Sequence, residues 1–82
     1  MRWEHLTYPD FEKAIDACDG VGIIPMGVIE PHGAHLPLGT DTLAAHTIAS
    51  QAAEQEPAIV FPQYPWGINH EGAHLPGSIV VQ

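Results

Sequence analysis

The twelve residues EPHGAHLPLGTD, positions 30–41, place two carboxylates and two imidazoles among two glycines and two prolines. The apolar run VGIIPMGVI precedes them at positions 21–29, and an Ala-rich run with helical character opens at Asp41. Polar side chains able to bind metal are thus gathered between a strand and a helix. In α/β proteins ligands sit outside the carboxyl ends of the strands, where such connections lie.

Working outward, residues 21–26 are rich in Val and Ile and apolar on both faces, the pattern of a central parallel strand covered by helices on each side. Upstream, Pro9 and Asp10 mark a helix start with Asp10 as N-cap. Phe11, Ala14, Ile15 and Cys18 follow at helical spacing, so residues 11–18 are expected to form a short amphipathic helix. Asp19-Gly20 ends it, because glycine readily adopts the left-handed turn at a helix C-terminus. Downstream, Thr40 or Asp41 caps a helix running to about Gln55. Its buried face is expected to hold Leu43, Ala44, Ile48 and Ala52, with Ala45 or Ala49. Pro57 stops that helix and residues 58–61 read as a second strand. The order helix, strand, loop, helix, strand predicts an α/β unit with a right-handed crossover and a parallel sheet.

Residues 62–77 read as a loop, with Tyr64 and Trp66 among prolines and glycines, and a loop of that length in a small domain points to function. Residues 78–82 begin what looks like another strand. A self-contained domain seldom ends on an untied apolar strand, so the expectation is that residues 1–82 are a fragment, or half of something larger. The string GAHLP occurs at 33–37 and again at 72–76. Two copies in unlike surroundings do not make a repeat architecture.

Ten acids stand against Arg2 and Lys13 alone, a formal charge of −8. Phosphate contacts need Lys and Arg, so nucleic acid and anionic membrane are poor partners. No run approaches the ~18 apolar residues of a membrane span. The opening residues MRWEH lack the apolar core of an export signal, and Cys18 is the sole cysteine. A reducing, cytoplasmic setting is therefore expected.

Glu30 and His32 are two apart, which in extended backbone directs both side chains to one face. Asp41, at the mouth of the next helix, can return to the same point. Mixed carboxylate and imidazole ligands suit Zn²⁺ or Mn²⁺, whereas Ca²⁺ and Mg²⁺ favour oxygen alone. Three protein ligands leave coordination positions open for water and substrate. Taken singly, Asp41 reads equally as a helix cap and Glu30 as a solvated acid. Taken together the three point to metal. His35 can orient a ligand through a hydrogen bond or simply meet water. His70, Glu71 and His74 form a second polar group suited to substrate positioning, and Trp66 can line a pocket. His46 and His5 read as surface residues and Cys18 as core. No nucleophile elbow or zinc-finger spacing occurs, and the GxxxxG-like spacings lack the Lys-Ser/Thr pair of a phosphate loop.

These residues resemble the signature of the creatininase (creatinine amidohydrolase) family, in which a Glu-x-His-Gly segment is followed nine residues after its His by an Asp. Here those are Glu30, His32, Gly33 and Asp41. Ile24-Pro25-Met26-Gly27 resembles the family's Pro-x-Gly strand end. Tyr64-Pro65-Trp66-Gly67 and the stretch from His74 to Ser78 resemble its later loops. The resemblance implies a three-layer α/β/α fold on a mainly parallel sheet, with two divalent metal ions, Zn or Mn, at the strand ends. It implies Glu30 on one metal, His32 on the other and Asp41 shared. It also implies hydrolysis of a C–N bond in a small, often cyclic, amide by metal-activated water, and a homo-oligomeric assembly. The family draws its remaining ligands from a later Asn-Gly-His segment that has no match here, so those ligands are expected from further sequence or another chain. The alternative is a non-catalytic binding or assembly module that keeps the loop.

Overall fold

The computed structural model describes residues 1–68 and 73–80. A 3-10 turn at Trp3–His5 leads into helix α1, Tyr8–Ala17; strand β1 is Gly22–Ile23, helix α2 is Thr40–Gln55 and strand β2 is Ile59–Val60. The two strands pair in parallel, Gly22 opposite Ile59 and Ile23 opposite Val60, with α2 in the connection between them. This is the α/β order expected.

Helix α1 begins earlier than the spacing predicts. Thr7, not Asp10, is its N-cap, and the Thr7 side chain accepts a hydrogen bond from the Asp10 backbone N–H at 3.3 Å. Pro9 fits the first turn because the N–H it lacks has no helical partner there. At the other end Gly20 N–H donates to Ile15 O and Asp19 N–H to Asp16 O, the paired bonds of a Schellman stop. The first left-handed residue is Asp19 itself (φ 52°), followed by Gly20 (φ 69°).

The regular part of the sheet is shorter than residues 21–26 and 58–61. Beyond Ile23 and Val60 come Pro25 and Pro62, neither of which has an N–H to donate. The pairing resumes one residue out of step at a Met26–Tyr64 bridge. There Tyr64 N–H donates to Pro25 O at 3.2 Å and Gly27 N–H to Tyr64 O at 3.3 Å. On the opposite edge of β2, Val60 N–H donates to Met1 O at 2.7 Å and Arg2 bridges Val60 in parallel. Strand β2 therefore lies between β1 and the N-terminal segment.

Alternate side chains of β2 point to opposite faces, and each joins its own cluster. Ile59 packs with Ala14 and Cys18 of the α1 layer, flanked by Leu6 and Phe11. Val60 packs with Ala49, Ala53 and Ala58, flanked by Ile23. Helix, sheet and helix thus form three layers. Trp3 closes the α1 side against Phe11 and Phe61, with ring centroids 4.4 and 4.6 Å away.

Three expectations are corrected. The buried face of α2 is Thr42, His46, Ala49 and Ala53, whereas Leu43 and Ile48 are 49% and 65% exposed and Ala44 and Ala52 are exposed too. Close approach of a helix to a sheet selects small side chains, so Ala49 and Ala53 win the contact with Val60 over larger neighbours. Strand 21–26 is not covered on both faces, since Val21, Ile24 and Met26 are at least half exposed. Of the strand expected at 78–82, residues 78–80 do not form one and 81–82 lie outside the described residues. Residues 78–80 are held to the loop after β1 by one backbone bond, Ile79 N–H to Ile29 O at 3.0 Å. Among the described residues no helix is long and apolar enough to cross a membrane.

Candidate metal centre

Between β1 and α2 the chain folds back on itself. Glu30 N–H donates to Leu38 O at 3.1 Å, and His32 and Leu36 form an antiparallel bridge. The turn at the tip passes through Gly33 at φ 70°, a left-handed conformation that glycine adopts without a side-chain penalty. Pro37 O then accepts from both the backbone N–H and the hydroxyl of Thr40, at 3.1 and 2.6 Å. That turn launches α2 with Gly39 as N-cap and no side-chain cap bond. The hydroxyl of Thr40 is spent on Pro37, and Asp41 lies in the first turn rather than at the cap. Among the described residues its carboxylate makes no hydrogen bond.

This geometry brings Glu30, His32 and Asp41 together, with one ligand atom from each within 4.8 Å of the others. His32 Nε2 is 3.3 Å from Asp41 Oδ2 and 4.0 Å from Glu30 Oε1. It is a buried atom that makes no hydrogen bond among the described residues. Two carboxylates therefore face one unsatisfied ring nitrogen. Neither Arg2 nor Lys13 reaches them, since every ion pair among the described residues is a histidine with an acid. A divalent cation fits such a set: it takes lone pairs from all three groups and offsets the paired negative charge.

The remaining candidates fall outside this cluster. His35 is exposed, its ring folded back over Gly33 of the turn. His74 is exposed and joins no ion pair among the described residues. Trp66 is 51% exposed on a segment that the Met26–Tyr64 bridge holds beside the strand end. Glu71 and its neighbour His70 lie outside the described residues.

His46 is not the surface residue expected. It is 7% exposed on the buried face of α2, with Nε2 unpartnered and 3.9 Å from Glu4 Oε2. Its spacing of four from Thr42 was the available signal, hidden by more hydrophobic neighbours. Gly27, noted in the sequence only as the end of the Pro-x-Gly stretch, packs against the start of α2, where an added Cβ would lie 2.6 Å from Asp41 C and Thr42 N.

The creatinine amidohydrolase family model, Creatininase, matches residues 4–82. The chain belongs to the creatininase family. A curated relative, creatinine amidohydrolase of Pseudomonas putida, is 31% identical over 78 residues, covering 89% of this chain and 30% of the relative. Mycofactocin precursor peptide peptidase of Mycolicibacterium smegmatis is 35% identical over 65 residues, covering 72% of this chain and 26% of its own length. The chain thus spans about 30% of the length of the curated relatives it matches.

Solved creatininases share the fold. The creatininase Mn structure superposes with a TM-score of 0.89 at 28% identity, over 99% of this chain and 34% of that one. A mutant creatininase of Zn–Zn type gives 0.88 at 28% identity, over 98% and 33%. The α/β/α arrangement is therefore that of the corresponding third of a creatininase.

Proposed function

We propose that this chain carries the N-terminal ligand loop of a metal-dependent amidohydrolase, acting on the C–N bond of a small amide. The observation that carries the reading is the convergence of Glu30, His32 and Asp41 around the unpartnered Nε2 of His32. Membership of the creatininase family supports it, as do the manganese and zinc forms of its structural relatives.

In this reading Glu30, His32 and Asp41 are ligands to Zn²⁺ or Mn²⁺, in a site that holds two such ions when complete. When bound, a divalent ion polarises a carbonyl and makes water a nucleophile near neutral pH. The chain's own part is to hold three ligand groups in place. The hairpin through Leu36 and Leu38 fixes Glu30 and His32, and the first turn of α2 fixes Asp41. Three groups do not complete two sites, so the remaining ligands belong to further sequence or to another copy in a homo-oligomer. Trp66, His35 and His74 are proposed to orient ligands or bind substrate, and the same role is proposed for Glu71, which lies outside the described residues. The two curated relatives are an amidohydrolase and a peptidase, whose shared chemistry is hydrolysis of an amide-type C–N bond. The substrate class is accordingly a small amide, cyclic or peptidic.

The test is metal content by mass spectrometry on the full chain and its His32→Ala variant, with hydrolysis of creatinine and of a short peptide followed in parallel. Bound Zn or Mn that is lost in the variant together with hydrolysis is the expected result. Hydrolysis that survives metal removal and the His32 change overturns the reading.

A further inference from the structure

We propose that Gly27 is a positioning residue for the ligand set, setting the distance between Asp41 and the Glu30–His32 hairpin. The proposal rests on the metal reading above. Its evidence is separate and lies in the packing of the strand end against the helix start.

Gly27 needs to be glycine for space, not for conformation. Among the described residues the glycines with positive φ are Gly20, Gly33 and Gly77, and Gly27 is not one of them. A Cβ on Gly27 would instead lie 2.6 Å from Asp41 C and Thr42 N and 2.9 Å from Asp41 O. All three atoms are backbone of the first turn of α2, against which carbon needs about 3.5–4.0 Å. An alanine therefore demands a displacement on the order of 1 Å.

Neither side yields freely. Gly27 is tied to the continuation of β2 through its N–H to Tyr64 O. The helix start is tied through buried Thr42, whose hydroxyl donates to Gln63 Oε1 at 3.4 Å, and through Thr40 on Pro37 O. Glu30 and His32 continue from the Gly27 side of this contact and Asp41 belongs to the other. A shift at the contact consequently opens the ligand set between His32 and Asp41. Metal–ligand bond lengths stay within about 0.2 Å of their usual values, so a shift on the order of 1 Å takes a ligand atom out of range.

The experiment is titration of the full chain with Zn²⁺ and with Mn²⁺ by calorimetry, for wild type, G27A, D41E and G27A/D41E, with helical circular dichroism on each. G27A is expected to keep the helical signal and to bind metal about 10- to 100-fold more weakly, the loss typical of removing a group that orients a ligand. D41E weakens binding in the wild-type background. In the G27A background its longer side chain reaches back across the widened gap, so the double variant binds more tightly than G27A. That reversal of sign is a result mere loss of packing does not give. Wild-type affinity in G27A overturns the proposal. So does weakened affinity that D41E fails to recover, or loss of the helical signal, either of which makes Gly27 an ordinary packing residue. A wild-type chain that binds neither metal removes the metal reading first and the proposal with it.

Discussion

His32 Nε2 and Asp41 Oδ2 stand 3.3 Å apart without a hydrogen bond between them. One belongs to the hairpin after β1 and the other to the first turn of α2. Two groups at contact distance that leave a buried ring nitrogen unsatisfied are better suited to a shared third partner than to each other. Glu30 completes the approach from the hairpin side.

Removal of the Asp41 carboxylate should separate ligand function from helix capping. Asp41→Ala is expected to abolish metal retention on the full chain while changing its urea stability by less than about 1 kcal/mol, the scale of an acid near a helix N-terminus. A large stability loss in the metal-free protein would show that the carboxylate is structural after all. Paired urea curves with and without chelator decide this.

The two loop histidines should behave differently although only three positions separate them. His32→Ala is expected to lose the metal. His35→Ala should keep it at wild-type stoichiometry, because His35 is exposed and lies outside the convergent group. Equal losses in both variants, measured by elemental mass spectrometry, would place His35 on the metal.

His46 should matter to stability and not to metal. Truncation of this 7%-exposed ring in His46→Ala leaves a cavity on the buried face of α2 and is expected to cost on the order of 2 kcal/mol. Glu4→Gln should cost less than about 1 kcal/mol, since the pair is 3.9 Å apart and the Glu4 side chain is 37% exposed. Metal content unchanged in both variants is the accompanying expectation. A Glu4 effect as large as that of His46 would reveal a tighter ion pair than the geometry gives.

The contrast between the buried strand β2 and the outer face of α2 gives a fourth test. Val60→Ala, at a side chain with no exposure, is expected to cost on the order of 2 kcal/mol in urea melts. Ile48→Thr, at 65% exposure, should cost less than about 0.5 kcal/mol. A reversed order would mean that Ile48 is covered in the full protein.

The ligand loop was legible because its chemistry is local in sequence. Glu30, His32 and Asp41 fall within twelve residues, and the strand and helix around them carry strong compositional signals. The parallel pairing of 22–23 with 59–60 followed from element order alone. What escaped was decided by contacts between distant residues. Nothing near Met1 announces that it pairs with Val60. The buried stripe of α2 lies at Ala49 and Ala53 because closeness to β2, invisible in the helix's own composition, outweighs hydropathy at Leu43 and Ile48. Thr7 and Gly39 displaced the expected caps because each terminus was fixed by a turn preceding it. In the second case that turn comes from Pro37 and frees Asp41.

The bond between Val60 N–H and Met1 O also bears on the order of assembly. The backbone bonds that build the ligand hairpin, Glu30 to Leu38 and Thr40 to Pro37, close loops of a few residues, and short loops close quickly. Pairing of the sheet joins residues 22 and 59, and the N-terminal strand edge waits for residue 60. During synthesis, then, the first residues of the chain must remain without their sheet partner until residue 60 has emerged. By that time the hairpin and α2 between them are already available, and this long-range contact is among the last to form.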